Sequence, residues 1–252
     1  MPKGHSGIKR GGKQSGGTQA VAIPQAKTIA EANALAVSLG LAKNANFTGI
    51  DVSAANDILQ SIAEHKRDFP ELPQLEFIGT VADFNRYATP KYGFRIKMSR
   101  GAAAAAFGGD KQSGCGPAIF FNKKVLSPKV IKTTRENYAE NERIRYWSVG
   151  TLKGVYDHEE GHQMEFLVKG RRDSVLKSLY NQYISPRSRE ITKDGLVAYT
   201  SKMARGLSEY ANENIGEFIA EGWAEYRSSS SPRPLAKAIG DRMMELYSGR
   251  KK

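Results

Sequence analysis

The stretch Leu152-Lys153-Gly154-Val155-Tyr156-Asp157-His158-Glu159-Glu160-Gly161-His162-Gln163-Met164-Glu165-Phe166 decides how this chain is read. Within it, His158 and His162 stand four residues apart. On a helix that spacing projects both imidazoles from one face, one turn apart, where they can share a small tetrahedral metal. Glu159, beside the first histidine, then reaches a water held at that metal. The flanks predict such a helix: Thr151 suits an N-cap, and Leu152, Val155, Glu159, His162 and Phe166 follow an i, i+3, i+4 rhythm. The stripe expected to face inward therefore carries imidazole and carboxylate, groups that are costly to bury without partners. A compensating metal is one answer. The other is a helix whose two histidines lie on a solvated face as hydrogen-bonded spectators.

A catalytic zinc takes three protein ligands and keeps a fourth position open. The chain holds four histidines, and the other two, His5 and His65, lie far upstream in regions that do not resemble ligand supports. Glu165 and Val168 stand where the longer pattern HExxHxxGxxH needs glycine and histidine. The third ligand is therefore expected to be a carboxylate on a later helix. Glu217-Phe218-Ile219-Ala220-Glu221-Gly222-Trp223-Ala224-Glu225-Tyr226 offers one, with Glu217 and Glu221 at i, i+4 on a common face. In that arrangement Glu217 binds Zn2+ and Glu221 accepts the free ring N–H of a ligand histidine, fixing its tautomer. Taken alone, the same two residues read as surface carboxylates of an acidic amphipathic helix.

Around these motifs the chain is expected to be α+β, with strands first and helices later. Residues 1–22 read as a flexible, basic, Gly-rich arm, because their Gly-Lys-Ser mixture offers too little apolar surface to order itself. Residues 23–70 read as an N-terminal helical segment, with helices from Thr28 to Leu41 and from Ser53 to His65. Residues 71–248 read as the main domain. It should hold strands at Gln74–Gly79, Phe94–Met98 and Ala118–Asn122 and a short helix at Val81–Tyr87; at Ala102–Phe107 polyalanine prefers helix, while the flanking glycines favour a strand or loop. Further helices are expected from Pro128 to Tyr146, Ser174 to Ile184, Gly195 to Arg205, Ile215 to Arg227 and Pro234 to Tyr247. The 118–122 strand is a candidate edge for pairing with an extended peptide.

At 252 residues, with 40% hydrophobic and 25% charged, the chain has the composition of a soluble globular protein. No apolar run reaches the length of a membrane span, and Met1–Gly17 lacks the apolar core of a secretory signal. Cys115, the one cysteine, excludes an internal disulfide and fits a reducing compartment. Within Gly114-Cys115-Gly116-Pro117 it reads first as a turn residue; a thiolate that blocks the open metal position and keeps the site latent is the sharper alternative. The net charge of +12 is spread along the sequence and reads as solvated surface, leaving open a non-specific attraction to nucleic acid.

Leu207-Ser208-Glu209-Tyr210-Ala211-Asn212-Glu213-Asn214-Ile215-Gly216-Glu217-Phe218-Ile219-Ala220-Glu221 resembles the second active-site block of the anthrax lethal factor-like zincins, whose relatives include zincin-like domains of phage minor head proteins. Tyr210 and Glu217 keep that block's interval of seven. The order of a strand ending in Asn122, a helix and HExxH is also similar, and Ser231–Lys237 resembles the closing segment. The resemblance covers about Phe94 to Tyr247. It implies a gluzincin-type zinc endopeptidase with His158, His162 and Glu217 as metal ligands, Glu159 as general base and Glu221 behind the ligands. Tyr210 would hydrogen-bond the transition state. Glu160 departs from the family's Phe-like residue and is expected to add negative charge near the site; Trp223 is a milder change. The resemblance equally allows a virion- or head-associated protein, with location in the cytoplasm or virion and with phage structural proteins or DNA as neighbours. In that case cleavage is secondary or lost.

Overall fold

The computed structural model describes residues 23–97, 102–184 and 206–250. Within them the chain is mixed α+β, mostly helical around a small three-stranded sheet. Helices α1 (Ile29–Ser38) and α2 (Val52–Asp68) come first, each opened by a side-chain cap. Thr28 accepts from the Glu31 N–H, and Asp51 from that of Ser53. Strand β1 (Phe77–Gly79) leads into α3 (Val81–Tyr92), which Gly93 ends at φ 76°. Strands β2 (Ala104–Phe107) and β3 (Ala118–Phe121) follow, then the short α4 (Lys123–Leu126) and α5 (Ile131–Arg143). The remaining helices are α6 (Leu152–Val168), α7 (Ser174–Ile184), α8 (Ile215–Ser228) and α9 (Pro234–Gly249). None of the described helices is long and apolar enough to cross a membrane.

The sheet order is β1-β3-β2, with β1 parallel and β2 antiparallel to β3. This corrects the expectation that residues 118–122 form an edge: β3 is the central strand, bonded on both sides. All four of its residues are buried, with Ile119 and Phe121 in one apolar cluster and Ala118 and Phe120 in another, as a two-residue period across a covered sheet requires. Among the described residues the strand with an unpaired side is β2, whose sequence is Ala-Ala-Ala-Phe.

Three further expectations change. Phe94–Lys97 alternates like a strand but joins no ladder, and Met98 lies outside the described residues. The Asn85 side chain satisfies that backbone instead: its Oδ1 accepts from Ile96 N and its Nδ2 donates to Ile96 O, both at 2.9 Å. The helix expected from Pro128 starts only at Ile131, as α5, and a separate short α4 ends at Leu126, before the extended Ser127 (φ −67°, ψ 156°) that precedes the proline. Helix α5 ends at Arg143, and Arg145 turns the chain at φ 65°. The strands lie between helices rather than ahead of them, and α3 runs on to Tyr92. The arm at 1–22 and the helix at 195–205 fall outside the described residues.

Residues 23–70 share one core with the sheet and α6: Ala32, Ile58 and Ile62 are buried in the cluster that holds Ile78, Ile119 and Tyr156. A second core joins α6, α7, α8 and α9 through Met164, Leu176, Phe218, Trp223, Ile239 and Met243. Helix α6 lies between them, buried almost throughout. Gly161 lets α8 come close, since a Cβ there would stand 3.1 Å from the Ala220 Cα. Polar residues of α6 must therefore find partners inside the protein.

Candidate metal centre

Asn214 starts α8: its side-chain oxygen accepts from Gly216 N and Glu217 N, which sets Glu217 in the first turn facing α6. There Glu217 Oε2 lies 3.0 Å from His158 Nε2 and 3.3 Å from His162 Nε2. Ligand atoms at zinc distances in a tetrahedron stand about 3.3 Å apart, so these separations fit a shared ion. Potential ligand atoms of His158, His162 and Glu217 all lie within 4.8 Å of one another. The two rings meet nearly edge to face, with centroids 4.9 Å apart. The Nδ1 of His162 is buried without a hydrogen-bond partner.

Glu221 is placed behind the first histidine. Its Oε1 pairs with His158 Nδ1 at 2.8 Å, so the ring's Nε2 faces the centre. The other oxygen accepts from Ser148 N at 2.7 Å and from Ser208 Oγ at 2.6 Å, while Ser148 Oγ donates to the Glu221 backbone carbonyl at 2.8 Å. Ser148 had no signal in the sequence; Ser208 was only part of the resembling block. Burial acts to lower the His158 pKa, yet the carboxylates on its two nitrogens prevail and lift it to about 10. Burial acts to raise Glu217 and Glu221, and the imidazole contacts outweigh it and hold both low.

Glu159 is buried, and burial raises its pKa against the pull of the two imidazoles. The Ala106 backbone amide on β2 also works against that rise. Tyr210 sits in a short 3-10 turn before α8, with its ring centroid 5.9 Å from that of His158. Its backbone N–H donates to Tyr146 O at 3.0 Å and the preceding Glu209 N to Arg145 O at 2.8 Å. Burial, then the nearby carboxylates, raise the Tyr210 pKa, so the phenol keeps its proton.

The structure corrects the expectation for Glu160. Its side chain faces away, beside a small void lined by Ile62, Lys66, Leu72 and Gln163, with Oε1 unpartnered. Burial, then Asp157 and Glu159, raise its pKa well above the usual range, so it adds no charge to the site. Cys115 is packed in the aromatic cluster with Phe77, Phe84 and Phe120, and burial pushes its thiol up to about 11. That favours the turn reading over the latch.

A cavity of about 610 Å³ opens beside these groups and meets them at His158, Glu159, Tyr210 and Glu221. Val125, Tyr138, Trp147, Val149 and Val155 line it with the start of β2. Its walls come from stretches scattered between Ala102 and Ala224, so the sequence held no sign of it. Compared with protein-family models, curated proteins and solved structures, the chain matches none.

Proposed function

We propose that this chain is a zinc-dependent endopeptidase with His158, His162 and Glu217 holding the metal. The observation that carries the reading is the convergence of three donors from two helices at zinc-like separations, backed by Glu221 on the free imidazole nitrogen. When bound, zinc supplies Lewis acidity toward water and a peptide carbonyl.

The chain's own residues do the rest. Glu159 takes a proton from the attacking water and delivers it to the departing amine; its burial-raised pKa brings it nearer the working pH, as a general base requires. Tyr210, protonated and beside His158, donates to the oxygen that gains charge. The unpaired side of β2 bonds the backbone of an extended substrate next to Glu159. The apolar cavity seats a bulky side chain adjoining the bond to be cut and keeps bulk water out.

The test is a metal assay joined to a digest. Purified protein is expected to carry one zinc per chain. It should cleave a denatured protein or peptide library, lose that activity to a chelator and regain it with zinc. A folded protein that takes up no zinc would overturn the proposal.

A further inference from the structure

Asp157, immediately before His158, has a carboxylate with no exposure. Three elements donate to it: Ser61 Oγ of α2 at 2.7 Å, Lys153 Nζ of α6 at 2.9 and 3.1 Å, and Ser228 Oγ at the end of α8 at 2.7 Å. A second bond closes the same triangle. Trp223 Nε1 on α8 donates to His65 Nε2 on α2 at 2.9 Å. The other nitrogen, Nδ1, then carries the proton, and Ser61 O accepts it at 3.0 Å. Ser61 thus serves both halves, through its hydroxyl and its carbonyl.

None of these bonds is made by a metal donor or by Glu159, yet they end next to the donors. Asp157 adjoins His158. Trp223 lies two residues beyond Glu221 and six beyond Glu217, and its ring stands 3.1 Å from where a Cβ on Gly161 would be. Packed helices move as rigid bodies, so a slip of α8 against α6 at Trp223 is carried to Glu217.

We propose that α2 is a positioning element of the metal centre: through Ser61 and His65 it fixes how α8 lies on α6, and so how far Glu217 stands from His158 and His162. This rests on the zinc reading above. It also gives residues 23–70, which lie outside the segment resembling the zincins, a part in the site's geometry.

The experiment compares zinc affinity, by competition with a chromophoric chelator, in the full-length wild type and in Trp223→Phe and His65→Leu. Circular dichroism and melting of the zinc-free proteins run alongside. Both variants are expected to bind zinc about ten- to a hundredfold more weakly while still folded, the range for groups that orient metal ligands. Asp157→Asn, whose one amide oxygen still accepts from a serine, should lose less than Asp157→Ala. Should either of the first two fail to fold, Ser228→Ala, which deletes a single bond of the triangle, is measured instead, with a several-fold loss expected. Lower melting temperatures with zinc affinities within twofold of wild type would reduce the triangle to a stabilising role and overturn the inference. Wild type that binds no zinc would remove the zinc reading and this inference together, whereas zinc-binding wild type with unaffected variants removes only the inference.

Discussion

Glu76 and Glu217 are both carboxylates drawn into the protein, and they are surrounded in opposite ways. Glu76 has a fully buried side chain that accepts from Lys43 Nζ at 2.8 Å, Lys91 Nζ at 3.0 Å, Tyr92 Oη at 2.6 Å and the Tyr87 hydroxyl. Burial would raise its pKa, but these donors bring it down to about 2. Its hydrogen-bonding capacity and charge are both answered, and nothing is left to recruit. Glu217 faces two ring nitrogens instead, while His162 Nδ1 finds no partner at all. A cluster that closes on itself holds a fold together; donors that converge on a gap, as around Glu217, are what the proposed zinc site requires.

The comparison is broken most severely at the open cluster. His162→Ala should abolish stoichiometric zinc uptake and all turnover, with the far-ultraviolet dichroism of the wild type retained; metal analysis and a peptide digest check both halves. Glu159→Gln should keep the zinc and lower kcat by about 10²–10⁴-fold, the usual range for a lost general base. Persistence of wild-type turnover there would assign the base elsewhere.

The buried groups away from the metal donors should answer in stability, and Glu76 in stability alone. His65 is neutral in the fold, where burial lowers its pKa to about 4. The unfolded chain therefore binds the extra proton below about pH 6.5, and stability present above that pH is lost as it falls toward 4. The loss is roughly 3 kcal/mol at full extent, and denaturant titrations of wild type and His65→Leu across that window should differ accordingly. Glu76→Gln should cost roughly 2 kcal/mol at neutral pH and leave zinc binding unchanged. Because the folded pKa of Glu76 is depressed, its contribution is complete above about pH 4.5 and disappears toward pH 2, so mutant and wild type should converge in acid.

What the sequence disclosed follows from how far apart partners lie in the chain. His158 and His162, like Glu217 and Glu221, are i, i+4 pairs, and a helix converts that spacing directly into a shared face. Helices α6 and α8 could accordingly be read within a residue or two of their ends. Ser61 and His65 left no such trace, since their bonds to Asp157 and Trp223 span 96 and 158 residues. The Phe94–Lys97 stretch misled because alternation records a two-sided environment, not a neighbour to pair with; there Asn85 took the neighbour's place. For β3 the warning was present: Ala-Ile-Phe-Phe is apolar without a break, the mark of a strand covered on both faces.

The alanines of β2 have a consequence for selectivity. A margin of the sheet bearing methyl groups for three consecutive positions is close to bare main chain, and a substrate docked there as proposed would be held through amide hydrogens and carbonyls that every sequence shares. Only an imino acid, with no hydrogen to give, is turned away there. Under the peptidase reading, choice among targets then falls to the neighbouring hollow, so reshaping Val125 or Trp147 should redirect the enzyme, while exchanging one small β2 residue for another should not.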